Sequence, residues 1–223
     1  MASNALAPRA KNALVQDPLQ ELLTRAAAYP QYNDLVNFLM LRQAMPQIKQ
    51  EYLGPFRAGE FVYSGFDGPG TIGLSHGAEP STVVHELTHA ADRQLGNMSY
   101  DLEERHRRET SFLDRLMGKS SLTPEEQRFV LARKKLDFDV NKDRSNPNRF
   151  PKQEFVNRLA PEWAKKHYDY RANDKELAAY GMGGTVSPNV YNAAPAHIDP
   201  TMATEFSIML DLAQRAQAKA GKK

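Results

Sequence analysis

The decapeptide "VVHELTHAAD", residues 83–92, sets His85 and His89 four positions apart with Glu86 directly after the first histidine. On an α-helix, residues four apart project from one face about one turn apart, so both imidazoles can approach a single ion at roughly 2.0–2.1 Å. Glu86 then falls on the adjacent flank. From there a carboxylate reaches a water on that ion instead of the ion itself, which is where a general base must stand. The plainer reading makes the two histidines ordinary polar neighbours on an amphipathic helix. Against it stand the apolar surroundings, Val83, Val84, Leu87, Ala90 and Ala91, in which a polar pair is costly unless it is satisfied.

The flanking residues place the motif in the middle of a helix. Pro80 suits a first helical turn, and Gly96 lies where a C-terminal stop belongs. Upstream, "EFVYSGF" and "TIGLS" are short β-favouring runs separated by "DGPG", which predicts a small hairpin. "TIGLS", directly before the helix, reads equally as an edge strand, and the unpaired backbone of an edge can take up an extended peptide.

Elsewhere helices dominate. "DPLQELLTRAAAY" offers Asp17 as N-cap and Pro18 at the first helical position, and a second helix is expected from about Asn33, carrying Leu35, Val36, Leu39 and Met40. The charge-dense stretch at about 100–150 includes "TPEEQRFVLARKKLDF", capped by Thr123 with Pro124 following, and a polar loop "NKDRSNPNRFP". "QEFVNRLAPEWAKKHYDY" reads as helix broken at Pro161, and "NDKELAAYGMGG" as a short helix closed by glycines. An irregular "TVSPNVYNAAPAHI" precedes a long last helix that Asp199 and Pro200 begin. The expected class is α+β and predominantly helical. The expected organisation is a flexible arm at 1–15, a single domain at 16–219 with a charged helical insertion at about 100–150 and a long C-terminal helix, and a disordered tail at 220–223.

Composition narrows the chemistry. Lysine plus arginine number 29 against 27 acidic residues, a formal charge of +2, so no nucleic-acid partner is expected. No apolar run approaches the length that spans a bilayer, so no membrane partner is expected either. Cysteine is absent, and any metal must be held by histidine, carboxylate and water. "MASNALAPRAKNALVQ" lacks the apolar core of a secretory signal, which points to a cytoplasmic location.

"HELTHAAD" resembles the active-site helix of the zincin metallopeptidases, which carry His-Glu-x-x-His with the glutamate as catalytic base. The resemblance covers this helix, the strand before it and a later glutamate. The metzincin branch wants a glycine and then a histidine or aspartate after the second histidine; Asp92 and Leu95 occupy those places here, and leucine cannot bind zinc. The gluzincin branch takes its third ligand from a later helix. "YDYRANDKELAAYGM" is similar to the glutamate helix of several gluzincin-like families, including the domain related to anthrax lethal factor, and this likeness assigns Glu176 as ligand beside Ala178 and Ala179.

The resemblance thus implies a zincin-like fold binding Zn²⁺ through His85, His89 and Glu176. It also implies peptide-bond hydrolysis by metal-activated water with Glu86 as general base, on a protein or peptide substrate. The plain alternative for Glu176 is a dipole-stabilised carboxylate at a helix start, and Glu205, then Glu154, are rival third ligands. Asp92, on the face of the two histidines, suits orientation of a ligand imidazole or simple exposure. Tyr180, one turn beyond Glu176, is the first candidate for stabilising an oxyanion, ahead of Tyr191, His167 and His197.

A second function class stays open. Zincin-like domains also occur as structural or assembly parts, for example in phage products, with cleavage weak or lost. The N-terminal arm and C-terminal helix would then be assembly contacts, and the location virion-associated. An intact Glu86 speaks for retained activity, since a purely structural site has no use for that carboxylate.

Overall fold

The computed structural model describes residues 17–55, 57–65, 68–144, 174–186 and 200–220. Helix α1, Pro18–Ala26, starts as its sequence requires, with the Asp17 carboxylate accepting a hydrogen bond from the Leu19 amide at 3.0 Å. Helix α2, Pro30–Leu41, begins earlier than Asn33 because Pro30 opens its first turn. It buries Leu35, Phe38 and Leu39, whereas Met40 is 63% exposed. The i, i+3, i+4 stripe runs through Phe38 and leaves Met40 to one side.

Three strands follow: β1, Gln47–Gln50; β2, Gly59–Val62; and β3, Thr71–Leu74. The β2–β3 hairpin forms as expected, antiparallel with Phe61 opposite Ile72. The position of "TIGL" needs correcting, because it is the centre of the sheet and not its edge. β1 pairs with it in parallel, Ile48 opposite Ile72, giving the order β1-β3-β2. "QIKQ" carries a single apolar residue and announces no strand; the ladder on β3 makes it one. The edge strand beside the motif helix is therefore β2.

Helix α3 spans Pro80–Glu109, 30 residues, about 45 Å at the standard rise. Gly96 does not stop it. A mid-helix glycine costs about 1 kcal/mol, and Leu95, Met98, Ser99 and Leu102, all buried, repay that on either side. A short α4, Phe112–Leu116, is capped by the Ser111 hydroxyl, which accepts from the Asp114 amide at 3.1 Å.

Helix α5, Pro124–Arg144, opens on a capping box. The Glu126 amide donates to the Thr123 hydroxyl at 3.3 Å and the Thr123 amide donates to the Glu126 carboxylate at 2.8 Å. It runs through "NKDR", which the sequence reading assigned to a loop. Helices α6, Asp174–Gly184, and α7, Pro200–Ala220, complete the described residues.

The architecture is α+β and predominantly helical, with one small mixed sheet. Helix α3 is its axis: α1, α2, α5, α6 and the sheet pack on it, and α7 closes the far side against α2, α5 and α6. Val83, Val84, Leu87, Ala91 and Leu95 of α3 are fully buried with Leu35, Phe38, Ile72, Leu74, Met182 and Phe206 in one core. The charged α5 is tied to α3 by an Arg105–Glu126 ion pair at 2.7 Å. The expected arm, the helix broken at Pro161, most of the irregular stretch, the Asp199 cap and residues 221–223 lie outside the described residues. Among the described residues no helix is long and apolar enough to cross a membrane.

Candidate metal centre

The helical spacing brings His85 and His89 together as their sequence positions demand. Their Nε2 atoms are 3.1 Å apart, with the rings edge to face at 4.8 Å between centroids. Helix α6 packs along α3 and delivers Glu176 to the pair. Ala178 and Ala179, both buried, keep that approach close. One carboxylate oxygen, Oε2, lies 3.3 Å from His85 Nε2, and the other, Oε1, 3.4 Å from His89 Nε2.

These separations test whether a metal fits. Donors bound at 2.0–2.1 Å around a tetrahedral ion are separated from one another by about 3.3–3.4 Å. The nitrogen–nitrogen and nitrogen–oxygen spacings found here fall on or near that edge length. His85 and Glu176 are buried, and Glu176 Oε2 is enclosed facing His85 Nε2, an environment in which a carboxylate is costly unless positive charge faces it. The donor set of two imidazoles and one carboxylate suits zinc and its borderline neighbours. The buried His85–His89–Glu176 group can hold a metal ion.

The electrostatics agree with that. Burial alone pushes the Glu176 carboxyl up, but the hydrogen bonds and charge of His85 and His89 outweigh it and hold the group well below the usual carboxylate range. Burial pushes the His89 imidazole down, yet its hydrogen bond to Glu176 and the charges of Glu176, Glu86 and Asp92 raise it overall. The cluster thus draws one positive charge into its centre, whether proton or metal ion.

Glu86 stands apart from the three donors. It is buried against β2, where Gly59 gives it room: a β-carbon at Gly59 would lie 2.8 Å from Glu86 Oε1, 2.9 Å from its Cγ and 2.7 Å from Thr82 Cγ2. Its carboxyl is pushed up by burial, helped by the charges of Glu176 and Glu60 and opposed by His85 and His89. Burial thus leaves Glu86 a carboxylate that takes up a proton more readily than an exposed glutamate does.

The remaining sequence candidates divide. Tyr180, one turn beyond Glu176, lays its ring edge to face on His85 at 4.7 Å between centroids. Asp92 is buried and accepts a hydrogen bond from Arg133 of α5. Glu205 is elsewhere, on α7, 3.3 Å from Lys135 Nζ, and is not among the clustered donors. Glu154, His167, Tyr191 and His197 lie outside the described residues.

Three contributors carry no sequence signal. Gly59 carries no mark in the sequence, and only the fold shows that it makes space for Glu86. Arg133 is one charge among many on α5 until it meets Asp92. Arg93, one turn past His89, stacks over Tyr63 at 4.4 Å and donates to the Gly65 carbonyl, fastening the β2–β3 loop to the motif helix. Comparison of the chain with protein-family models, with curated proteins and with solved structures finds no match, so the reading rests on these residues.

Proposed function

We propose that the chain is a zinc-dependent metallopeptidase of the zincin type, with His85, His89 and Glu176 as ligands and Glu86 as general base. The observation that carries this is the position of Glu86: buried, excluded from the donor cluster, and near enough to His85, His89 and Glu176 to feel their charges. A site built only to hold a structural ion gains nothing from a second desolvated carboxylate beside it, which costs free energy to bury.

Zinc held by the three donors supplies Lewis-acid chemistry, polarising a carbonyl and acidifying water. Glu86 accepts the proton of the attacking water and passes it to the leaving amine as the carbon–nitrogen bond breaks. A carbon–oxygen bond forms in its place, so one water is consumed and a carboxylic acid and an amine are released. Burial sharpens Glu86 for this by raising its basicity, and Gly59 fixes where its carboxylate sits.

Tyr180, whose ring lies against His85, serves the oxyanion in this reading, and β2, an edge strand among the described residues, takes up the extended substrate backbone. The test is mass-spectrometric identification of new termini in a denatured protein mixture treated with wild type and with Glu86→Gln. Cleavage by wild type alone supports the reading; equal cleavage by the variant sinks it.

A further inference from the structure

Among the described residues, an exposed apolar cluster lies outside the His85–His89–Glu176 group. Helix α4 carries Phe112, Leu113, Leu116 and Met117 at its body and end, each between 63% and 75% exposed, and none of its residues is buried. Large side chains standing singly at a surface need no explanation, but four within six residues form a patch that does. At 100° per residue these four spread over roughly 140° of the helix. The patch is therefore a rounded tip and not a narrow stripe.

Its border is basic. Arg107 and Arg108 end α3 just before it, and Arg115 and Lys119 lie within and after it. Arg107 pairs with Glu104 and Lys119 with Asp114, whereas exposed Arg108 and Arg115 have no ion-pair partner among the described residues. Exposed Glu109 stands beside Arg108, so the charge left over around the tip, two arginines against one glutamate, is net positive by one.

Size decides between partners. A stable protein interface covers about 800 Å² on each side, some twenty residues or more, and a groove-bound helix is read at i, i+3, i+4 and i+7. Five helical residues cannot supply the last of these positions, and four side chains fall well short of that area. A lipid surface asks for less: a few apolar side chains at the headgroup boundary, with arginines at the level of anionic phosphates. The expectation of no membrane partner rested on spanning length, which a superficial contact does not need.

We propose that α4, with Arg108 and Arg115, is a tip that docks the protein reversibly on an anionic lipid surface. The test is co-sedimentation of the full chain with vesicles of phosphatidylcholine, alone or mixed with phosphatidylserine, for wild type, Leu116→Glu and Arg108→Glu/Arg115→Glu. Circular dichroism and melting temperature confirm that the variants fold, as substitutions at exposed positions should.

The expected result is binding to the mixed vesicles that weakens with salt. Leu116→Glu should lose it about tenfold or more, and the double variant at least about thirtyfold, the loss of each arginine counting about fivefold before the added repulsion of the glutamates. Absence of vesicle binding overturns the proposal, as does binding that both variants retain. A concentration-dependent dimer that Leu116→Glu abolishes, without vesicle binding, assigns the tip to a second copy of the chain and equally overturns it.

Discussion

Gly59 and Glu86 are in such close approach that any side chain at Gly59 would collide with the glutamate: the nearest carboxylate oxygen would be 2.8 Å from a β-carbon. Edge strand and motif helix thus meet at the one carboxylate that the metal donors leave free.

Gly59→Ala should displace Glu86 without touching the three donors. Overpacking of this kind costs about 1–3 kcal/mol, and peptidase activity should fall at least tenfold while metal content stays that of wild type. Parallel metal analysis and a cleavage assay check this. Unchanged cleavage would mean that Glu86 is not held by β2.

How far this was readable from the sequence differs from residue to residue. His85, His89 and Glu86 were legible because helical periodicity alone fixes their relation. Glu176 was legible by resemblance, since nothing in local chemistry relates residues on two distant helices. The strand β1, the run of α3 through Gly96 and the role of Gly59 were not legible. Each depends on a partner far along the chain: β3 recruits β1, core packing repays the glycine, and Glu86 gives Gly59 its meaning.

Arg93 gives a second prediction. Its guanidinium lies over Tyr63 and donates to the Gly65 carbonyl, so Arg93→Ala removes both ties between the hairpin loop and α3. The loss should be about 1–2 kcal/mol. Hydrogen exchange should quicken in the β2–β3 hairpin more than in the core of α3. Exchange that rises uniformly would contradict a local fastening.

The Arg105–Glu126 pair makes stability depend on pH. Burial alone would raise the Glu126 carboxyl, but the Arg105 hydrogen bond and those from Thr123 outweigh it and leave the pKa below its ordinary 4.5. A depressed folded-state value means that the contribution is fully present above pH 4.5 and is lost as pH falls through the lower, folded value. Arg105→Ala should therefore cost about 1–3 kcal/mol at neutral pH, the arginine being partly exposed, and less in acid. Urea melts at both pH values check this; a gap that widens in acid would contradict it.

Asp92 and Arg133 join α3 to α5 about one turn along α3 from His89. Arg133→Ala leaves a buried carboxylate without its guanidinium, at a cost of about 1–3 kcal/mol. Arg133→Met, of similar length but uncharged, should not restore stability, whereas Asp92→Asn combined with Arg133→Met should recover part of it. A double-mutant cycle in thermal melts reads that coupling, and additivity would show that the pair contributes nothing.

If His85, His89 and Glu176 hold a metal ion, elemental analysis of the purified protein detects it. Zinc should be near-stoichiometric in wild type, in Glu86→Gln and in Glu205→Ala, whose glutamate sits with Lys135, and should be lost from Glu176→Ala. A wild-type chain that takes up no metal even after reconstitution, or a Glu176→Ala variant that keeps its zinc, would contradict a metal held by these three residues.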